Sequence, residues 1–289
     1  MGRGRQVRVA RAHGAGRPAE VARVVGAGLA GSLVTGLALA ALLYTAAPTA
    51  FTALGASDAV LGPGTSYLRI VAWSVPAAAI TVTLQAACAG VGATRITLYT
   101  ALTVNAVNLP LGAALIFGAG WGIEGAAVAT TAAVTGAVLM GAYGHRRLPR
   151  DDGEAPGTRE ISCDLWRLGW PEMTTLGVGY INEVLLAGFA ARIGTADLAA
   201  YRLVDTLTLV LFIVLSSVST ALTVLAGQEL GAGRQDRAIA WHRASRQHLL
   251  LLLAVCGALA LALAHPAYGL ASADDGVTAS AWAAPRGPC

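Results

Sequence analysis

The chain has 289 residues, of which 55% are hydrophobic and 12% charged, and its mean hydropathy is +0.61. That balance excludes a soluble globule and points to a bilayer as the solvent. The net charge of +4 comes from 20 basic residues, all of them arginine; they lie in short connections without an aromatic stacking platform, so no nucleic-acid partner is expected.

A helix that crosses the hydrocarbon core needs about 20 apolar residues. Residues 1–24 hold six arginines and lack the short core and cleavage site of a signal peptide, so they read as a basic cytoplasmic arm or loop. Apolar segments then run from Val25 to Ala46, Tyr67 to Val91, Ile96 to Phe117, Gly125 to Tyr143, Leu165 to Ile193, Ala199 to Leu230 and Leu249 to Ala264, separated by polar, Gly or Pro punctuation. The expectation is an all-α polytopic membrane protein with about seven transmembrane helices. Cys88, Cys163, Cys256 and Cys289 stand far apart, which supports neither a disulfide framework nor a zinc site.

Alternate connections must share a side of the membrane. One set holds the arm, Arg95, the group from Arg146 to Arg167 and the group from Arg234 to Arg246, sixteen of the twenty arginines. The other set is acidic, with Asp58, Glu124, Asp197, Asp274 and Asp275. The positive-inside rule therefore predicts a cytoplasmic amino end and an extracellular carboxyl end.

Gly14-Ala-Gly-Arg17 recurs as Gly231-Ala-Gly-Arg234, so that position n of a first copy corresponds to n + 217 of a second. Carried forward without a gap, this offset pairs Ala27 with Ala244, Leu33 with Leu250, Leu42 with Leu259 and Asp58 with Asp275. Basic loop, apolar run and acidic outer loop recur in the same order, which indicates a duplication. Each repeat would hold six helices, an even number, so both copies enter the membrane in the same sense, as in parallel-repeat transporters. The expected layout is four helices of a first lobe over 25–144, a cytoplasmic linker over 145–164, three helices of a second lobe over 165–265, and an outer loop with an atypical tail over 266–289. On this plan the chain is the middle of a twelve-helix protein, two helices short at the front and about three at the back.

Uncharged polar groups at mid-depth mark helices that line something other than lipid. Asn105 and Asn108, three apart, share one side of the third helix; for Asn105, packing against a neighbour and lining a cavity are equally supported. Gln85 is a further candidate for the wall. Pro76 and Pro110 each remove a backbone donor and are expected to bend their helices. On the fifth helix Glu172, Thr175, Gly179, Asn182 and Glu183 fall on one stripe. A carboxylate at the depth of Glu183 must be protonated, paired or wet, so either ion coupling or a structural pair with an arginine such as Arg202 explains it. The sixth helix shows Asp205, Thr208, Ser216, Ser219 and Thr223 at helical spacing, either a polar face or a close-packing seam. Enzyme signatures are missing: the GAGR and GVGATR turns lack the lysine and hydroxyl of a phosphate loop. No cofactor is expected, and the five histidines lie mostly at helix ends.

The ordered series GAGR, YLRI before a proline, GVGATR, NLPLG before IFG, GWGIEGAAVAT, LGWP and AGQELGAGR resembles the multidrug and toxic compound extrusion (MATE) transporters over roughly residues 5 to 277. The resemblance makes these helices the third through ninth of twelve. It implies an antiporter in the cell membrane that expels small organic, often cationic compounds against H+ or Na+ by rocking two six-helix lobes around a central cavity, and it favours cavity lining for Asn108. Two departures stand out: Gly112 occupies a place where the family usually has a carboxylate or amide, and Gly179 one where it often has an acid. A lipid-linked precursor flippase of similar plan and a nontransporting remnant are the competing readings.

Overall fold

The computed structural model describes residues 2–53, 58–146 and 157–271. Among them the regular structure is entirely helical: α1 (Gly2–Gly14), α2 (Pro18–Ala53), α3 (Asp58–Ala72), α4 (Ser74–Gly90), α5 (Arg95–Ala113) continued by a π turn (Ala114–Gly118), α6 (Gly122–Arg146), α7 (Thr158–Ile193), α8 (Thr195–Gly231) and α9 (Gln235–Ala271). Residues 272–289 of the atypical tail and half of the linker, residues 147–156, lie outside the described residues.

Among the described residues, five stretches are long and apolar enough to cross a membrane: α2, the pair α3–α4, α5 with its π turn, α6, and Val204–Gly231 of α8. Helices α7 and α9, of 36 and 37 residues, stand where the fifth and seventh spans were expected. The chain is a polytopic all-α membrane protein.

The helices divide into two compact units, the first comprising residues 1–169 and 227–233 and the second residues 170–226 and 234–289. In the first unit α6 packs along α5 and against α3 and α4, α4 also packs on α2, and α1 lies against α2 and α4. The packing is inverted relative to a soluble protein. Phe117 is 83% exposed while Ala127, Ala133 and Ala137 are at most 1% exposed, because lipid offers large side chains as good a solvent as the interior does. What drives association is close approach of backbones over small residues. A Cβ on Gly141 would come within 2.9 Å of Leu84, one on Gly144 within 2.8 Å of Ile96, and one on Gly36 within 2.8 Å of the Pro76 Cα.

The second expected span is broken. Helices α3 and α4 meet at Trp73 with a bend of 41°, one turn before Pro76. Proline has no N–H for the carbonyl four residues earlier and its ring crowds that carbonyl, so the ladder fails on its N-terminal side. Trp73 N–H turns instead to the Ile70 carbonyl, 3.2 Å away. Pro110, by contrast, is accommodated inside α5, and the ladder widens only at the π turn that follows.

Residues 1–24 are not an arm. They form α1 and the first turns of α2, and Val9, Ala12, Val21, Val24 and Val25 are core residues together with Ala87 and Ile161. Ile161 belongs to the stretch expected as linker and lies in α7. Arginine at every second or third position hides the helical period of α1 in the sequence, while the long arginine stems let polar heads leave an apolar face.

The repeat reappears in backbone detail. Helix α2 starts at Pro18 and α9 at Gln235, which are offset partners. Gly16 and Gly233 both take positive φ, 67° and 75°, the left-handed closure that glycine gives a helix C-terminus. Gly16 N–H donates to the His13 carbonyl at 3.0 Å and Gly233 N–H to that of Leu230 at 3.2 Å. Ala15 donates to Arg11 at 2.9 Å and Ala232 to Gln228 at 3.0 Å, each pair shifted by the same offset. The two turns also touch reciprocally. A Cβ on Gly14 would lie 2.8 Å from the Gln228 Cα, and one on Gly231 3.0 Å from the Arg11 Cα. Since Arg11 and Gln228 are offset partners, as are Gly14 and Gly231, the contact has local two-fold character. Gly227 meets its own counterpart, Ala10, across 3.0 Å, which puts this pair on the local axis.

Candidate functional site

In the first unit, side-chain polar groups are used to join helices. Asn108 on α5 donates through Nδ2 to Thr130 Oγ1 on α6 at 3.1 Å, and Thr130 in turn donates to the Ala126 carbonyl at 2.9 Å. Thr131 donates to the Ile70 carbonyl of α3 at 3.2 Å, beside the bend. Asn105, three residues before Asn108, is exposed and donates back to the Ala101 carbonyl of its own helix at 2.9 Å. Gln85 on α4 is half-buried. Of the two proline positions, Pro76 sits one turn after the bend, whereas Pro110 lies in a continuous helix.

A polar cluster that the sequence reading passed over lies deeper. Arg5 of α1 is 6% exposed and donates to Thr83 Oγ1 of α4; Thr83 Oγ1 is also 2.6 Å from Ser32 Oγ of α2. Three helices therefore meet at the Thr83 hydroxyl. Close approach is permitted by Gly28, where a Cβ would fall 3.2 Å from the Arg5 Cδ. Beside this cluster is a cavity of about 370 Å³ lined by Arg5, Gly28, Gly31, Thr35, Ser162 and Trp166 among others. One signal for Arg5 was available: its offset partner is Leu222, so a charge stands where the copy has a hydrocarbon. A second, apolar groove of about 670 Å³ runs between α5 and α6 past Tyr99, Thr103, Val107, Leu139, Met140 and Tyr143.

Where α1, the start of α2 and the first turns of α7 meet, ion pairs gather. Arg8 pairs with Asp164 and lies 3.6 Å from Glu20, which Arg17 also holds at 3.0 Å. Glu20 is buried, so the two cations compensate a carboxylate that burial alone would penalise.

The second unit presents its polar residues differently. Glu183 on α7 pairs with Arg202 on α8 at 3.4 Å, and the Arg202 guanidinium carbon lies 5.8 Å from the Tyr201 ring centroid. Asn182 is exposed and Asp205 half-buried. The hydroxyls of Thr208, Ser216 and Thr223 each donate to a carbonyl three or four residues earlier in α8, at 2.8 to 3.0 Å, so these three are satisfied within their own helix.

The profile of the MatE family matches residues 1–114 and 180–283. A probable multidrug resistance protein NorM of Aromatoleum aromaticum is 30% identical over 236 residues, covering 77% of this chain and 50% of the relative. A protein of the same description from Rhizobium meliloti is 32% identical over 241 residues, covering 78% and 50%. The chain thus spans about half the length of the curated relatives it matches. Among solved structures, a MOP superfamily transporter from Pyrococcus furiosus superposes over 97% of this chain and 63% of its own with a TM-score of 0.85 at 20% identity, and a MATE protein in complex with MaD3S over 97% and 65% with 0.84 at 21%. At those identities the likeness is one of fold. The sequence profile, covering three quarters of the residues in the order the motifs predicted, carries the assignment: this chain belongs to the MatE family.

Proposed function

We propose that the chain is part of a secondary active multidrug efflux transporter, which exchanges small organic, often cationic compounds against H+ or Na+ across the cell membrane. The observation that carries this reading is the family match on two separate stretches, 1–114 and 180–283, joined to a repeat whose turns and helix starts recur at one constant offset. The description of the curated relatives as probable multidrug resistance proteins supports efflux as the direction. The activity needs no chemistry on the substrate, only a wall that opens to either side. The clustering of arginines at alternate ends of the expected spans supports a cytoplasmic amino end.

In this reading Asn108, Asn105 and Gln85 belong to the wall of the first lobe, and Asn182, Glu183 and Asp205 to that of the second. The bend before Pro76 gives the first lobe a place to flex, because the backbone ladder is already interrupted there. Glu183, paired with Arg202, is the ion-coupling candidate: protonation of the carboxylate releases the arginine, and an arriving cation competes with it.

The test is efflux of a fluorescent organic cation from membrane vesicles that contain this chain co-produced with the remaining helices of a MatE relative, under imposed H+ or Na+ gradients. Gradient-driven efflux is expected, and Glu183→Gln should change its ion dependence. Absence of efflux under either gradient refutes the reading. Efflux with unaltered ion dependence in Glu183→Gln removes that residue from the coupling step.

A further inference from the structure

Arg11 stands on the exposed side of α1 and, among the described residues, its guanidinium has no side-chain or backbone partner. It lines a cavity of about 430 Å³ with Arg8, Ala12, Arg17, Glu20, Leu230 and Gly231. Two of the three arginines there are committed, Arg8 to Asp164 and Glu20, and Arg17 to Glu20. One uncommitted guanidinium is a weak basis for binding a phosphate, yet it is well suited to neutral carbonyl oxygens.

The local two-fold identifies which carbonyls. The offset partner of Arg11 is Gln228, and Gln228 has an occupant: its Nε2 donates to the Gly90 carbonyl at 2.9 Å. Gly90 is the last residue of α4, and the chain then turns back through Gly92, φ 86°, whose Cβ position lies 3.9 Å from the same Nε2. Gln228 donates to this helix end, and Val9 and the Gln6 carbonyl of α1 lie against Gly90. Applying the offset converts Gln228 into Arg11, which lines the open cavity. It converts Gly90 into position 307, outside these 289 residues.

We propose that the Arg11 cavity is the seat of a helix C-terminus, namely the end of the α4 counterpart in the second repeat of the whole transporter, with Arg11 donating to its terminal carbonyls as Gln228 does to Gly90. The proposal rests on the two-lobe reading given above. Arginine suits this role better than glutamine, since it offers five donors and a positive charge to the negative end of a helix dipole.

The experiment co-produces the complete 289-residue chain with a fragment of the Aromatoleum aromaticum relative that carries the second-repeat α4 counterpart and the helices after it. Copurification from membranes and oxidative cross-linking are then measured. Arg11→Cys should cross-link to cysteines placed in the last turn of that helix, whereas Arg95→Cys should not. Arg11→Leu should reduce copurification about tenfold, as expected for loss of a charge-assisted hydrogen bond, and Arg11→Gln should restore most of it, because glutamine performs the equivalent task at position 228. Unfolding temperatures of the chain alone should be unchanged, Arg11 being exposed. No association with the unsubstituted chain, no cross-link from Arg11→Cys, or equal copurification of Arg11→Leu would each overturn the proposal. So would native mass spectrometry showing phosphatidylglycerol retained in the presence of the fragment by the unsubstituted chain and lost in Arg11→Leu, which would make the cavity a headgroup site. Efflux without the cross-link refutes this seat and leaves the transport reading standing; the cross-link without efflux does the reverse.

Discussion

Both units return hydroxyls to their own helices, but among the described residues the first adds more hydrogen bonds between helices. In the first, polar side chains reach across to other helices: Arg5 and Ser32 to Thr83, Asn108 to Thr130, Thr131 to Ile70. In the second, the hydroxyls of α8 return to their own backbone, and the ion pair of Glu183 with Arg202 is a side-chain link between α7 and α8. A hydroxyl bonded to its own helix needs no neighbour, whereas an amide or guanidinium in an apolar medium is costly until a neighbouring helix supplies a partner. The first unit is therefore held by specific polar contacts as well as by close packing, and its polar residues are hard to reassign to a ligand without loss of structure. Those of the second unit are freer to change partner.

The largest expected break of this contrast is at the glycine contact of the first unit. Gly14→Val places a branched side chain into the Gln228 backbone, and the loss should be about 3 kcal/mol or more, the upper range for forced overpacking. Gly231→Val should cost a similar amount, because the Arg11 backbone receives it in the same way; thermal unfolding in detergent, followed by size-exclusion profile, measures both. A marked inequality between the two would break the reciprocal geometry.

Thr83→Val comes next. It removes the hydroxyl shared by Arg5 and Ser32 while preserving shape, so buried polar groups lose a partner at about 1–3 kcal/mol. If Thr83→Val unfolds at the temperature of the unsubstituted chain, the cluster is not a structural joint.

The smallest effects sharpen the contrast itself. A double-mutant cycle of Asn108→Leu and Thr130→Val should show a coupling of about 0.6 kcal/mol, the average for interhelical hydrogen bonds in a bilayer. The cycle of Glu183→Gln and Arg202→Met should give a value closer to zero, because both side chains are roughly half open and such pairs contribute little. The reverse order would mean that the second unit, not the first, is held by its polar contacts.

Much of the fold was legible. Apolar length placed α2, α5, α6 and the apolar part of α8, since a bilayer imposes it directly, and Gly14-Ala-Gly-Arg17 with its copy announced the repeat. Asn108 stood out as an amide at mid-depth, which must find a polar partner, but that the partner is Thr130 on the next helix depends on the rotation of α6 about its axis, which no local pattern encodes. At Glu183 the structure supplies Arg202 as a partner at 3.4 Å, a contact between two helices that no local pattern encodes. Residues 1–24 misled: six arginines in that stretch read as a solvated arm, whereas α1 buries Val9, Ala10 and Ala12 and places Arg5 inside the bundle.

By itself, then, the sequence determined that this is a membrane protein of long helices, internally duplicated and organised like the MatE family, because hydropathy, helical period and glycine turns act locally along the chain. Only the tertiary structure decided which polar groups meet, that the Thr83 hydroxyl joins three helices, and that the two Gly-Ala-Gly turns lock reciprocally while Arg11 lines a cavity. Those facts depend on how helices rotate and approach one another, which small residues permit but do not specify.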